Sequence, residues 1–253
     1  MNAAKRLAAF QRVNWTAETS PLIYARMAGF LYLVITVAAI IAHFYIPAKL
    51  IVPGDAATTA NNIAASEGLF RLGGIGGELV VLLSEIVLSI ILYVLLKPVS
   101  KTLSLIAAVS RLAMTTIHGL NLLNYFFVLL LLSGADYLTA FDKDQLYALV
   151  SLFLDAHHYG FTIGITFLTL HVFVLGYLIF KSGFFPRVLG VLFIIAAVGY
   201  SVDSFAMLLS TSYEMTPPFL ALPIALAEIA FPLWLLVKGV NVEQWEKRAL
   251  QSA

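Results

Sequence analysis

Seven ionisable side chains stand inside stretches that otherwise read as hydrocarbon-soluble: Glu78, Glu85, Arg111, His118, His171, Asp203 and Glu228. Asp155, His157 and His158 stand at the edge of such a stretch. An ionisable group near the middle of a bilayer costs about 2.5–3.5 kcal/mol or more, so each of these needs a partner, a cavity or a task. Helical rise orders them by depth. Arg111 is ten residues from Lys101, His171 ten from Lys181 and Glu228 ten from Lys238, so all three lie about 15 Å above the basic boundary. Glu85, twelve residues from Lys97, lies about 18 Å up. A second tier at about 24–30 Å holds Glu78, His118, Asn121 and Asp203, with His43 near that level. Glu78 and Glu85 are seven apart, as are Arg111 and His118, so each pair shares a helix face. His157 and His171 are fourteen apart, again on one face.

Several chemistries follow from these types and spacings. A midplane arginine flanked by carboxylates and a histidine suits anion binding, proton relay or gating. The ligand-binding or proton-relay set is therefore Glu85, Arg111, His171, Glu228 and Asp203, with His171 as the proton-responsive member. His118, His157 and Glu78 form an alternative set for a metal such as zinc, whose bound water would make an intramembrane hydrolase. No HExxH or compact histidine spacing accompanies it. His157 and His171, about 21 Å apart along a helix, cannot share one ion. Haem is disfavoured, because nothing histidine-like lies opposite His171. Serine chemistry lacks a G-x-S-x-G, and no phosphate loop occurs.

The elements that must position these residues are membrane helices. Of 253 residues, 61% are hydrophobic and 11% charged, against about 25% charged in soluble domains. A net charge of +1 gives no reason to expect nucleic acid as a partner; membrane lipid is expected. With no cysteine, disulfides and thiolate ligands are excluded. Six apolar segments, roughly 24–46, 72–96, 102–132, 157–180, 187–210 and 217–238, each reach the ~20 residues that cross a bilayer. The fold class is all-α: a polytopic six-transmembrane-helix bundle with an outer helical connection at about 55–68. Residues 1–20 read as a cytoplasmic amphipathic segment, with a basic helix at 3–15 on the membrane surface. Residues 21–240 are the transmembrane domain, and 241–253 a cytoplasmic tail in which 240–250 has the same amphipathic character.

Basic residues set the orientation. Lys5, Arg6, Arg12 and Arg26, then Lys97 and Lys101, Lys181 and Arg187, and finally Lys238, Lys247 and Arg248 mark one side. The positive-inside rule puts both termini in the cytoplasm of a multi-pass cell (inner) membrane protein. Gly160 and Gly164, and Pro223 and Pro232, are candidate helix breaks of the kind that build ligand sites. Gly73 and Gly77, four apart, allow close helix approach. Residues 92–112 faintly echo 176–202, suggesting a duplicated hairpin.

RMAGFLYL (26–33), IVPGDAATTANNI (51–63), LLKPVSKTLSLIAAVSRL (95–112), LHVFVLGYLIFKSGFFPRVLGVLFIIAAVGYSVDSF (170–205) and WLLVKG (234–239) together resemble a family of bacterial six-helix membrane proteins catalogued as a domain of unknown function. The likeness spans about residues 24–240, and Arg111, His171 and Asp203 fall within it. It implies the architecture and a prokaryotic cell membrane, and no particular activity. The function expected from the residues is binding of a small ligand or ion for transport or sensing. The alternatives are the metal-dependent hydrolase and a structural or accessory subunit.

Overall fold

The structure, a computed structural model, describes residues 20–213 and 216–252. The expected surface helix at 3–15 lies outside the described residues. Six helices long and apolar enough to cross a membrane are present among them: α1 (Pro21–Leu50), α3 (Glu67–Leu96), α4 (Lys101–Leu131), α5 (Lys143–Ser182), α6 (Arg187–Leu209) and α7 (Pro218–Val237). Two shorter helices, α2 (Ala56–Ala65) and α8 (Val242–Ser252), lie at opposite ends of the bundle.

Local chemistry starts and stops these helices. The Ser20 side chain accepts from the Leu22 amide, with Pro21 in the first turn. Asp55 caps α2 by accepting from Thr58 N at 2.8 Å. Hydrogen bonds from the Thr58 hydroxyl and amide hold the Asp55 carboxyl below its ordinary range. Ser100 caps α4, and Asp142 with Gln145 forms a capping box at the start of α5. Gly183 ends α5 with φ +78°, a left-handed conformation that glycine adopts without strain.

The 40-residue α5 begins at Lys143, well before the apolar run at 157. It is about 60 Å long, twice the hydrocarbon thickness. An apolar-run criterion finds only the part in lipid. The extra turns project beyond it and pack on α2, where Tyr147 Oη donates to Asn61 Oδ1 at 2.9 Å. The expected breaks at Gly160 and Gly164 are absent, since α5 is continuous. Pro223 and Pro232 likewise sit within an unbroken α7.

Consecutive spans pack side by side, and α7 closes back on α1, so the six spans form a ring. Connections of four residues, 97–100 and 183–186, enforce antiparallel neighbours. Large apolar side chains face outward on every span, among them Phe30, Leu83, Leu120, Phe173, Val198 and Ile229. That belt matches a lipid solvent. Inside are two apolar cores. One, toward α8, contains Leu88, Leu95, Leu175, Phe193 and Phe231. The other, toward α2, contains Ile46, Ile63, Phe70, Leu122 and Val150. Trp245 anchors α8 by donating its indole N–H to Leu95 O at 2.8 Å.

Small residues set the helix spacing. A Cβ at Gly176 would meet Gly190 O and Ile194 N at 2.9 Å; one at Gly190 would meet Phe180 N at 2.6 Å. Backbones of α5 and α6 thus touch directly, the packing that membranes favour where apolar burial gives little drive. Gly73 and Gly77 make room for the side chains of Ile46 and Ala42 of α1. Gly176→Leu or Gly190→Leu should therefore destabilise the bundle by about 1–3 kcal/mol or more. A lowered thermal midpoint in detergent micelles would register it. Gly68→Ala, with no atom within 4 Å of the added Cβ, should leave that midpoint unchanged.

Candidate functional site

Two polar layers lie inside the ring at different depths. The deeper one is built on Arg111, which is 5% exposed, from α4. Its guanidinium makes a bidentate pair with Glu85 of α3: Nε donates to Oε2, and Nη2 to Oε1 at 2.9 Å. Nη1 donates to Tyr32 Oη of α1 at 3.2 Å and to His171 Nε2 of α5 at 2.9 Å. His171 Nδ1 lies 2.8 Å from Ala107 O. A carbonyl only accepts and a guanidinium only donates, so the imidazole carries its proton on Nδ1 and accepts at Nε2. The ring is neutral, and both of its nitrogens are committed.

Four spans thus meet in one closed knot. Charge cancels between Arg111 and Glu85, and bidentate geometry makes this the strong form of the pair. Of the expected midplane set, Glu85, Arg111 and His171 are brought together. Glu228 lies within electrostatic range of Arg111 and Glu85 without a hydrogen bond to the guanidinium; its carboxylate accepts from Tyr200 Oη at 3.4 Å, linking α6 to α7. His171 has no free lone pair in this arrangement and so does not fill the proton-responsive role expected of it. Tyr32 and Tyr200 were missed. Their signal was present, because a tyrosine hydroxyl buried in a span needs a hydrogen-bond partner.

Toward α2 lies the second layer. His118 Nε2 donates to Phe161 O of α5 at 3.0 Å, and Asn121 Nδ2 donates to His157 O at 2.8 Å. Both side chains rest on glycines: a Cβ at Gly164 would overlap the His118 ring, and one at Gly160 the Asn121 amide. These glycines are seats for polar side chains rather than breaks. The His118 ring stacks on Phe161 with centroids 4.6 Å apart, and His157 stacks on Tyr125 at 3.8 Å. His43 of α1 lies 3.2 Å from Glu78 of α3 and contacts the Phe161 ring. Both α1 and α3 are π-helical here, over Ile40–Tyr45 and Phe70–Gly76, and the two segments pack together. Such wide turns are rare and concentrate at functional sites.

Against this layer opens a cavity of about 500 Å³, bounded by His43 and Phe44 of α1, Tyr125 of α4, His157 and Phe161 of α5, and Asp203 of α6. Asp203 Oδ1 accepts from Tyr213 Oη at 2.5 Å, and no cation faces that carboxylate among the described residues. His158 also borders the cavity but is largely exposed, as is Asp155 nearby. The expected metal set of His118, His157 and Glu78 is not assembled. His118 is spent on Phe161 O, His157 lies against Tyr125 and Glu78 against His43, and no three histidine, aspartate or glutamate side chains among the described residues could hold an ion. A second cavity, between α1 and α3, is lined by apolar side chains and glycines alone.

Removing one partner of a buried ion pair strands the other, at about 3–5 kcal/mol. Arg111→Leu should lower stability by that order, and Arg111→Leu with Glu85→Leu should recover part of the loss. Thermal unfolding of the three proteins in micelles measures both effects. Gly164→Ala should displace His118 from Phe161 O, visible as a changed imidazole resonance.

Residues 27–239 match the family described as Domain of unknown function (DUF4386). An uncharacterized protein of the archaeon Archaeoglobus fulgidus is 29% identical over 168 residues, covering 66% of this chain and 85% of its own. No solved structure matches. With the match running from the first span through the last, the chain belongs to the DUF4386 family of membrane-spanning helical proteins.

Proposed function

We propose that the cavity facing His43, His157 and Asp203 is a binding chamber for a small organic cation, used in transport or sensing. The observation that carries this reading is a single carboxylate, Asp203, unneutralised among the described residues and set across about 500 Å³ from aromatic faces. The lining combines mostly apolar walls with a few convergent polar groups, the usual make-up of a small-molecule site. Phe44, Tyr125 and Phe161 line the chamber, and a cation held over an aromatic face gains about 0.5–2 kcal/mol. Asp203 supplies the counter-charge. The Arg111 knot, with four of its five N–H donors already paired, serves as the structural floor beneath the chamber rather than as a ligand site.

Orientation completes the reading. Lys97, Lys101, Lys181, Arg187 and Lys238 gather at the α8 end, and the positive-inside rule assigns that end to the cytoplasm. The chamber mouth, bordered by Pro47, Ile51 and Thr216 at the α2 end, then opens to the outside of a prokaryotic cell membrane.

Choline and its uncharged isostere 3,3-dimethylbutan-1-ol make the test. Purified protein in lipid nanodiscs should bind choline and not the isostere, by isothermal titration. Asp203→Asn should weaken choline at least about tenfold, about 1.4 kcal/mol. Equal binding of both probes, or an unaffected Asp203→Asn, would sink the reading.

A further inference from the structure

Glu78 is the least satisfied acid inside the ring. It is 2% exposed, and its Oε1 has no hydrogen-bond partner. His43 Nδ1, at 3.2 Å, is the one nitrogen in ion-pair range, and it is not aligned to donate a hydrogen bond. Nearby cations are engaged elsewhere: Arg71 pairs with Glu67 at 2.6 Å, and Lys49 sits over the Tyr45 ring. A bare carboxylate at that depth costs at least about 2.5 kcal/mol, which favours a state in which the group holds a proton or a positive ion. A hard cation would require several oxygen ligands, whereas the neighbours of Glu78 are an imidazole and a phenol, and no three histidine, aspartate or glutamate side chains among the described residues could hold a softer ion. A proton is the occupant that fits.

His43 also gives that proton a route, because it borders both Glu78 and the chamber. The other titratable groups facing the pair are His118 and Tyr125 from α4, His157 from α5 and, across the chamber, Asp203 from α6. His118 is committed through Nε2 to Phe161 O, and His157 is stacked on Tyr125. Tyr125 also borders the chamber and faces Glu78, but His43 is the one imidazole of these groups that both lies in ion-pair range of Glu78 and borders the chamber.

We infer that His43 and Glu78 form a proton-binding pair that exchanges one proton with water in the chamber. In the loaded state Glu78 is the neutral acid and His43 the neutral base. The Glu78 O–H bond breaks as the proton passes to His43 Nδ1, leaving a carboxylate–imidazolium pair of zero net charge. Loss of that proton to chamber water leaves the pair at −1. His43 lies within one π-helical segment and Glu78 two residues beyond the other. Coupling to a ligand rests on the chamber reading: a cation in the chamber stabilises the −1 state, so cation entry expels the proton.

The proton site is tested without any ligand. Infrared difference spectra of the protein in nanodiscs, titrated in pH, should show a carboxylic-acid carbonyl band that fades as pH rises and shifts in D₂O. Glu78→Gln should remove it, and Glu78→Asp should move it, which keeps the assignment secure if the glutamine variant folds poorly. His43→Phe should displace the titration midpoint. A band unchanged in both Glu78 variants, one that fails to exchange with D₂O, or a midpoint indifferent to His43→Phe would each overturn the proposal. Saturating choline should then lower the wild-type midpoint by about one pH unit, the reciprocal of tenfold weaker choline binding to the protonated pair. A fixed midpoint despite bound choline overturns the coupling. Absence of choline binding overturns the chamber reading, and the ligand-free titration still decides the proton site.

Discussion

A guanidinium in the middle of a lipid layer dictates much of this structure. Arg111 cannot shed its charge and cannot reach water, so the protein must bring acceptors to it. Glu85, Tyr32 and His171 come from three other spans and arrive in a geometry that uses both sides of the guanidinium fork. Four of the six spans are thereby tied at one height. Each must hold a particular rotation about its own axis, since a turn of one residue would carry its polar group away by about 100°. The Tyr200–Glu228 bond ties the remaining two. A ring of six apolar helices has little hydrophobic reason to choose one packing in lipid; these polar bonds supply the choice.

Specificity at the centre frees the α2 end for something else. Below the knot, apolar side chains fill the ring, from Leu88 and Leu95 to Phe193 and Phe231. Above it the filling is aromatic and polar: Tyr125, His157, Phe161 and His118 stack in pairs. Flat rings pack face to face and leave irregular gaps at their edges, where aliphatic side chains would interdigitate. The chamber lies against these rings. His118 and Asn121 reach α5 only because Gly164 and Gly160 carry no side chain. Those two glycines therefore let α4 and α5 approach one another beside the chamber.

The two π-helical segments belong to the same logic. Each inserts a wide turn in a span, and they face one another next to His43 and Glu78. Glu78 and Glu85 share a helix face about 10 Å apart in depth, yet their environments differ sharply. Glu85 is clasped by a guanidinium, whereas Glu78 has a single imidazole beside it. One helix thus presents a permanently neutralised acid and an incompletely matched one, the second beside an imidazole that borders the cavity.

Local rules fixed much of this in advance. Span number, the α2 connection, the depth of each ionisable group and the shared faces of Glu78 with Glu85 and of Arg111 with His118 all follow from helical rise and period, which every residue obeys regardless of its neighbours. Partner choice does not follow from them. Glu228 has the same depth as Arg111 but hydrogen-bonds to Tyr200, and Glu78 meets His43 rather than His118 and His157, because ring order and helix rotation decide which faces look at each other. Those are properties of six helices packed together: the spacing permitted by Gly160, Gly164, Gly176 and Gly190, and the closure of α7 on α1. The sequence alone determined which residues needed partners and at what height; only the tertiary structure decided which partner each one found, since pairing depends on contacts between helices that no single helix encodes.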